Sequence, residues 1–170
     1  ESREGDTLAD NALQAALIGL DNVKKYSFLE RGSDERQYCS PGIDLPLCGF
    51  CRTKYGKYPE YHTSADNFDV VTEKGLNGSF EVMKTIIDAF ETDLFPKLNV
   101  KCEPQLSRHN LRNNVSQKGY MGDINTRLDF IAYADGKHSI FDISNKINKN
   151  LKYVIEEANA LSDSHLLHGT

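Results

Sequence analysis

The chain has 170 residues, of which 39% are hydrophobic and 26% are charged, and its formal net charge is −5. This length fits one domain or a domain with a small appendage. Basic and acidic residues are interspersed, which argues against nucleic acid as the main partner, because a phosphate-binding surface needs clustered Lys and Arg. No run approaches the roughly 18 apolar residues of a membrane span, and no signal peptide opens the chain. We therefore expect a cytoplasmic protein with reduced cysteines and no membrane partner.

The first part of the chain alternates helical and extended patterns. Apolar residues recur at helical spacing over 8–20, after a cap at Asp6 or Thr7. Strands are predicted at 26–29, 47–51 and 99–102, and a short helical turn capped by Ser33 or Asp34 precedes Cys39. The polar segment 52–69 is predicted as loop. A helix is predicted over 79–94, with an apolar face made of Phe80, Met83, Ile86, Ile87, Phe90 and Leu94. This order predicts an α/β sheet with helices on its faces.

The last part of the chain is predicted to be helical. Residues 103–122 have few apolar side chains and are predicted as a linker. Three apolar stripes follow within 123–170, separated by turns at 135–136 and 148–150, which is typical of a helix-turn-helix. This segment carries five basic and seven acidic residues, a balance of −2, and Glu156 and Glu157 lie on its third helix. A DNA-reading role is therefore less favoured than packing or protein contact.

Residues 31–69 concentrate the polar chemistry of the chain. They hold two Asp-rich turns, His62 between Tyr61 and Thr63, three cysteines, and Gly and Pro at the corners. Such loops with convergent polar groups carry active sites. Imidazole is a good zinc ligand when a carboxylate or carbonyl fixes its tautomer, and Asp66 lies nearby in the sequence. We therefore expect the active site, or part of one, in this stretch.

The cysteines leave two alternatives open. Cys48 and Cys51 have the spacing of a redox pair, but they lie in an apolar run and not at the start of a helix, which favours buried thiols. Cys39, Cys48, Cys51 and His62 form a Cys3His set that could close a structural zinc site. Residues three apart on a strand point to opposite faces, so this alternative needs a knuckle at 48–51.

Two motifs resemble a known family. They are Arg31-Gly-Ser-Asp-Glu-Arg-Gln-Tyr-Cys39 and Pro59-Glu-Tyr-His-Thr-Ser-Ala-Asp66, and residues 5–10, 102–106 and the terminal helices match as well. The chain resembles the C-terminal part of a bacterial aminopeptidase-like family associated with polysaccharide-biosynthesis loci and related to the di-zinc exopeptidases. The resemblance implies that residues 1–102 end a zinc-exopeptidase-like α/β/α sandwich, that 103–122 is the linker, and that 123–170 is a winged-helix domain.

The resemblance also assigns roles to individual residues. It implies that His62 is the last imidazole ligand of one of two zinc ions and that Asp66 holds its loop. Tyr61 lends its phenol to the oxyanion of the tetrahedral intermediate. Asp34 supports a metal ligand without binding the metal itself. Glu35 stands where the wider superfamily has His, so its role stays open.

The resemblance implies that the other metal ligands lie outside this chain. A second His, a bridging Asp, a Glu-Glu pair and a further acid precede the matched segment in the family. The expected activity is zinc-dependent hydrolysis of peptide or amide bonds, with the missing N-terminal part of the same protein as partner and a homo-oligomer left open. Alone, the 170-residue chain is expected to be inactive and to bind zinc weakly. The alternative is a non-catalytic module with a degenerate peptidase fold that serves assembly or recognises a sugar-biosynthesis intermediate.

Overall fold

The structure, a computed structural model, describes residues 1–111 and 124–168. Within them the α-helices are α1 (Leu8–Leu17), α2 (Glu35–Tyr38), α3 (Glu73–Phe90), α4 (Ile124–Tyr133), α5 (Ile140–Ile147) and α6 (Leu151–Asp163), with 3-10 turns at Phe28–Glu30 and Leu106–His109. In the same residues, strand pairing is limited to two isolated bridges, so the described protein is mostly helical. None of its helices combines the length and the apolar character that crossing a bilayer requires.

Side-chain caps fix where the helices begin. The Thr7 N–H donates to Asp10 Oδ2 at 3.1 Å, and the Thr7 hydroxyl accepts from the Asp10 N–H in return. The same reciprocal box joins Ser139 and Asp142 at the start of α5. These bonds satisfy N–H groups that have no partner inside the helix. The predicted first helix with its Thr7 cap and the predicted terminal helices are confirmed.

The three predicted strands are wrong. Residues 28–30 form a 3-10 turn, and neither 47–51 nor 99–102 forms a strand. A strand needs a neighbour for its N–H and C=O groups, and the described residues offer no ladder beside either of these segments. The pairing lies slightly earlier instead, where Lys97 bridges to Asp135 and Leu98 to Leu167. The α/β sandwich is not confirmed by the described residues.

Helix α3 differs from its prediction in start, end and buried face. It begins at Glu73 after a Thr72 cap, whose hydroxyl accepts from the Gly75 N–H at 3.1 Å, and not at residue 79. It ends at Phe90, four residues before the predicted end. The predicted face is largely exposed, with Phe80 63% and Ile87 56% accessible, while Val82 and Ala89 are buried. The smaller side chains face inward because α3 lies against α1 and α6.

One hydrophobic core joins the N-terminal helices to the C-terminal ones. Helix α1 packs most extensively against α5, and α3 and α6 also contact it. The Phe90 ring of α3 meets the Phe141 ring of α5 edge-on at 5.1 Å between centroids. The buried side chains of this core include Ala12, Ala15, Ala16, Val82, Ala89, Phe130, Ile140, Phe141, Ile143, Leu151, Val154 and Leu161. Helices α1 and α3 therefore pack as parts of the same unit as α4, α5 and α6.

The segment after α3 is also tied to the C-terminal helices. The Leu98 N–H donates to the Ala134 carbonyl at 3.0 Å, and the Asn99 N–H donates to the Leu166 carbonyl at 2.8 Å. Within the predicted linker 103–122, Leu106 is buried in the core, and residues 112–122 lie outside the described residues. The boundaries at 102 and 123 stay a prediction.

Asn150 connects α1 to α6 by polar contacts. Its Nδ2 donates to the carbonyls of Ala16 at 3.2 Å and Ile18 at 2.7 Å, where α1 ends. Its Oδ1 accepts from the Lys152 N–H at 3.0 Å, where α6 begins. One amide thus satisfies backbone groups at the ends of two helices.

We predict that Asn150→Ala lowers the free energy of unfolding by about 1–3 kcal/mol, because carbonyls at the end of α1 lose their donor. Urea unfolding followed by circular dichroism measures the change. Asn159→Ala, on the exposed side of the same helix, is the control and should stay within about 0.5 kcal/mol of the parent. Equal midpoints for the two variants would contradict the role given to Asn150.

Candidate functional site

Glu35 joins the turn 31–39 to the segment 52–69. Its carboxylate accepts from the N–H groups of Gly32 at 2.9 Å and Ser33 at 3.3 Å, and from the Tyr55 hydroxyl at 2.9 Å. Gly32 is needed for this contact, because a Cβ there would lie 2.7 Å from the Tyr55 ring. The turn and the following loop are therefore held together around one buried carboxylate.

The hydrogen bonds at Glu35 and Tyr55 separate their pKa values. Burial opposes ionisation of Glu35, but the N–H groups of Gly32 and Glu35 and the Tyr55 hydroxyl lower its pKa to about 2. Burial and the adjacent carboxylate raise the pKa of Tyr55 to about 12. Both shifts move away from neutral pH, so neither group is suited to proton transfer there. The pair is a structural tie between the two motifs.

Tyr61 and His62 lie in a row of aromatic rings beside this tie. The Tyr61 ring is 6.2 Å from Tyr55 and 5.7 Å from Tyr58, and it stacks on His62 at 4.1 Å between centroids. His62 is exposed and has a left-handed backbone with φ of 59°. Within the described residues, neither the ring nitrogens of His62 nor the Tyr61 hydroxyl makes a hydrogen bond. These polar atoms are available to a ligand.

Asp66 and Asp34 are not bonded to that ring pair. Asp66 Oδ2 accepts from the Tyr58 hydroxyl at 3.2 Å, and this bond holds the loop around His62. Asp66 makes no hydrogen bond to the imidazole itself. Asp34 is exposed at the N-cap position of α2, but its side chain makes no capping bond. Glu35 supplies the acceptor for the turn instead. The structure brings Tyr61 and His62 together, and no hydrogen bond joins Asp34 to either.

The described residues hold no group of three His, Cys, Asp or Glu side chains placed to bind one metal ion. Cys39 Sγ donates to the Leu47 carbonyl at 3.2 Å and Cys48 Sγ to the Ala9 carbonyl at 3.3 Å. The Cys3His arrangement with Cys51 and His62 is therefore not assembled. Burial raises the pKa of Cys48 to about 11, which disfavours a reactive thiolate. Both ring nitrogens of His62 are without a hydrogen bond in this part of the chain.

The sequence analysis left the role of Glu35 open and assigned none to Tyr55. The structure makes these two residues the anchor of the site. Gly32 three residues before a Glu was the available signal, because a carboxylate at that spacing can accept from the N–H groups of the preceding turn. No signal indicated that the third hydrogen-bond partner of the Glu35 carboxylate, Tyr55, lies 20 residues away.

Two family models cover nearly all of the chain. Residues 1–93 match a domain of unknown function, DUF4910, and residues 94–169 match a winged helix-turn-helix family. The winged-helix assignment of the C-terminal helices is thereby confirmed.

Similar proteins carry peptidase names. The chain is 35% identical over 166 residues to a Clostridium acetobutylicum protein named "Putative polysaccharide biosynthesis protein with aminopeptidase-like domain". It also superimposes, with a TM-score of 0.76 and 32% identity, on a crystal structure from C. acetobutylicum described as a "putative peptidase". The matches cover 96% and 98% of this chain, but 38% and 37% of the relatives. The resemblance to the aminopeptidase-like family is confirmed, and the chain spans about two fifths of the length of these relatives.

We predict that Glu35→Gln lowers the free energy of unfolding at pH 7 by about 1–3 kcal/mol, because a buried charged acceptor is lost. The folded-state pKa lies below the ordinary 4.5, so this stability is present above pH 4.5 and is lost as the pH falls toward 2. The gap between the variant and the parent should therefore close over that range. Urea titrations at several pH values measure it.

Asp34→Asn is the matched control for the Glu35 prediction, since Asp34 is the exposed neighbour on the same turn. Its stability should follow that of the parent at each pH. A Glu35→Gln gap that stays constant from pH 7 to pH 2 would show that Glu35 is not the ionised acceptor described above.

Proposed function

The chain belongs to the DUF4910 family, and we propose from this premise that it is part of a zinc-dependent aminopeptidase-like hydrolase that cleaves peptide or amide bonds. One observation carries the proposal. His62 presents an exposed imidazole, free of hydrogen bonds within the described residues, on a loop that matches relatives with peptidase names. We take His62 as the last imidazole ligand of one of two zinc ions.

The surroundings of His62 suit that role. Its ring is stacked on Tyr61, and its loop is held by the bond between Tyr58 and Asp66, so the imidazole has few orientations to lose on binding. Because the ring is exposed, metal-ligating side chains from other parts of a longer polypeptide can lie beside it. When bound there, zinc would polarise the scissile carbonyl and would lower the pKa of a bound water molecule.

Tyr61 is the proposed oxyanion donor. Its ring is fixed between Tyr58 and His62, while its hydroxyl has no partner in residues 1–111 and 124–168. A phenol next to a metal ligand can donate to the oxygen that gains charge as a carbonyl carbon becomes tetrahedral. Asp34 is the proposed positioning residue, because its exposed carboxylate lies on the turn that Glu35 ties to this loop.

The remaining ligands come, in this proposal, from the part of the longer protein that this chain does not span. The exposed apolar face of α3, with Phe80, Met83 and Ile87, supports contact with that missing part of the protein. A face of this kind on a protein helix is normally covered. The α/β/α sandwich, the cytoplasmic location and the boundaries at 102 and 123 belong to the same proposal.

A non-catalytic module is the second candidate, and the shared core favours it. The winged-helix region packs its α5 and α6 against α1 and α3, so these faces already serve protein contact within the chain. The cleft between α3 and α6 is lined by three acidic residues, Glu81, Asp88 and Glu156, and by two basic ones, Lys84 and Lys152. This mixed lining lacks the clustered Lys and Arg that a phosphate backbone requires. Under this second hypothesis, the chain takes part in protein assembly or binds a sugar-biosynthesis intermediate.

We predict that a polypeptide as long as the relatives hydrolyses aminoacyl anilides in a zinc-dependent way. His62→Gln should lower kcat/KM on the order of 100-fold through weaker metal binding, and Tyr61→Phe should lower kcat by roughly 100-fold or more with little change in zinc content. Steady-state kinetics and bound-zinc analysis measure both effects. Tyr153→Phe, an exposed tyrosine on α6, is the control and should stay near the parent.

The 170-residue chain by itself should show no such hydrolysis and only weak zinc binding, since it supplies one imidazole. Robust activity of this chain would overturn the assignment of the other ligands. A long polypeptide that binds no zinc and cleaves no anilide would favour the non-catalytic module.

A further inference from the structure

A second site lies beside the aromatic row, and we propose that it binds the acylated, aliphatic terminal residue of a short peptide through its carboxylate. A cavity of about 220 Å³ opens between the segment 52–72 and the first turns of α3. Its walls include Arg52, Tyr58, Asp66, Val70, Val71 and Leu76, and neither Tyr61 nor His62 lines it. The volume is below the range of about 300–1,000 Å³ typical of larger ligands, so a single residue fits.

Arg52 is the residue that selects a carboxylate. Within the described residues the exposed guanidinium of Arg52 makes no hydrogen bond or ion pair. A guanidinium presents N–H donors in a planar fork that matches the two oxygens of a carboxylate. The cavity therefore contains an unused recognition group for an anion of that shape.

Gly78 lets the Arg52 guanidinium lie close to the backbone of α3. A Cβ at this position would lie 3.3 Å from Arg52 Nη1, closer than most such contacts. Glycine is the poorest helix former after proline, yet Gly78 lies in the interior of an 18-residue helix. The close approach of Arg52 explains why the absence of a side chain suits this position.

The rest of the cavity matches an acylated amino acid. Val70, Val71 and Leu76 line it with aliphatic groups, and each is at least 37% exposed, so a ligand side chain can cover them. Asp66 uses Oδ2 to accept from Tyr58, which leaves Oδ1 for a ligand N–H. No ion pair joins Arg52 to Asp66, although both line the cavity. A carboxylate, an amide N–H and an aliphatic side chain are together found at the C-terminal residue of a peptide.

This site goes beyond the proposed hydrolase function and does not depend on it. No zinc ligand takes part, so binding should occur in metal-stripped buffer and in the absence of any hydrolysis. Failure of the catalytic proposal leaves the site intact, and absence of binding here leaves the catalytic proposal intact.

The test is calorimetric titration of the 170-residue chain with N-acetyl-L-leucine in metal-stripped buffer without carboxylate or phosphate. N-acetyl-L-leucinamide, which lacks the charge, should bind at least about tenfold more weakly, as should N-acetyl-L-leucine to Arg52→Gln. Arg36→Gln, an exposed arginine outside the cavity, is the control and should bind like the parent. Equal affinity for acid and amide, unchanged affinity of Arg52→Gln, or no binding by the parent overturns the proposal.

Gly78→Ala separates loss of the site from loss of the fold. Alanine favours the helix and should raise the thermal midpoint, while its Cβ displaces the guanidinium and weakens binding of N-acetyl-L-leucine. A more stable protein with lower affinity supports the geometry described above. A more stable protein with unchanged affinity would contradict it.

Discussion

The contact between α1 and α5 determines how the rest of the protein is arranged. The buried positions of α1 are Ala12, Ala15 and Ala16, and these small side chains let the helix approach Phe141 and its neighbours closely. Asn150 then fixes the C-terminal end of α1 by polar bonds. Because α1 is held in this way, the turn and loop that follow it start from a rigid base, although they contain little regular structure.

The chemically interesting loop depends on a second, smaller constraint. Glu35 is the charged side chain that is buried within the described residues, and the donors around it stabilise its ionised form. Its bond to Tyr55 brings the Asp34 turn near the row of rings that ends at His62. A loop of this length without strands is normally mobile, and internal bonds of this kind limit the orientations it samples. The same framework positions Arg52 beside α3.

Sequence patterns located the helices, although not the bounds and buried face of α3, and they predicted strands that the described residues do not form. Capping residues such as Thr7 act within a few residues of the helix they start, so they can be read locally. The apolar run at 47–51 gives no information about whether a partner segment exists, and in the described chain none pairs with it. On α3 the pattern favoured Phe80 and Ile87 as core, but packing against α1 and α6 selected Val82 and Ala89. Likewise, His62 and Tyr61 were identified from a motif, while the bond from Glu35 to Tyr55 was not, because it depends on the folded path of the chain.

The two family regions meet at residues 93 and 94, yet their side chains form one core. An exchange of the C-terminal region for another winged helix would place Ala12, Ala15 and Ala16 against a surface shaped for different neighbours. Recombination at this junction is therefore disfavoured unless α1 changes with it. The two family regions are therefore expected to be inherited together. Substitutions on α1 are expected to be compensated by substitutions on α5, although the family boundary separates the two helices in the sequence.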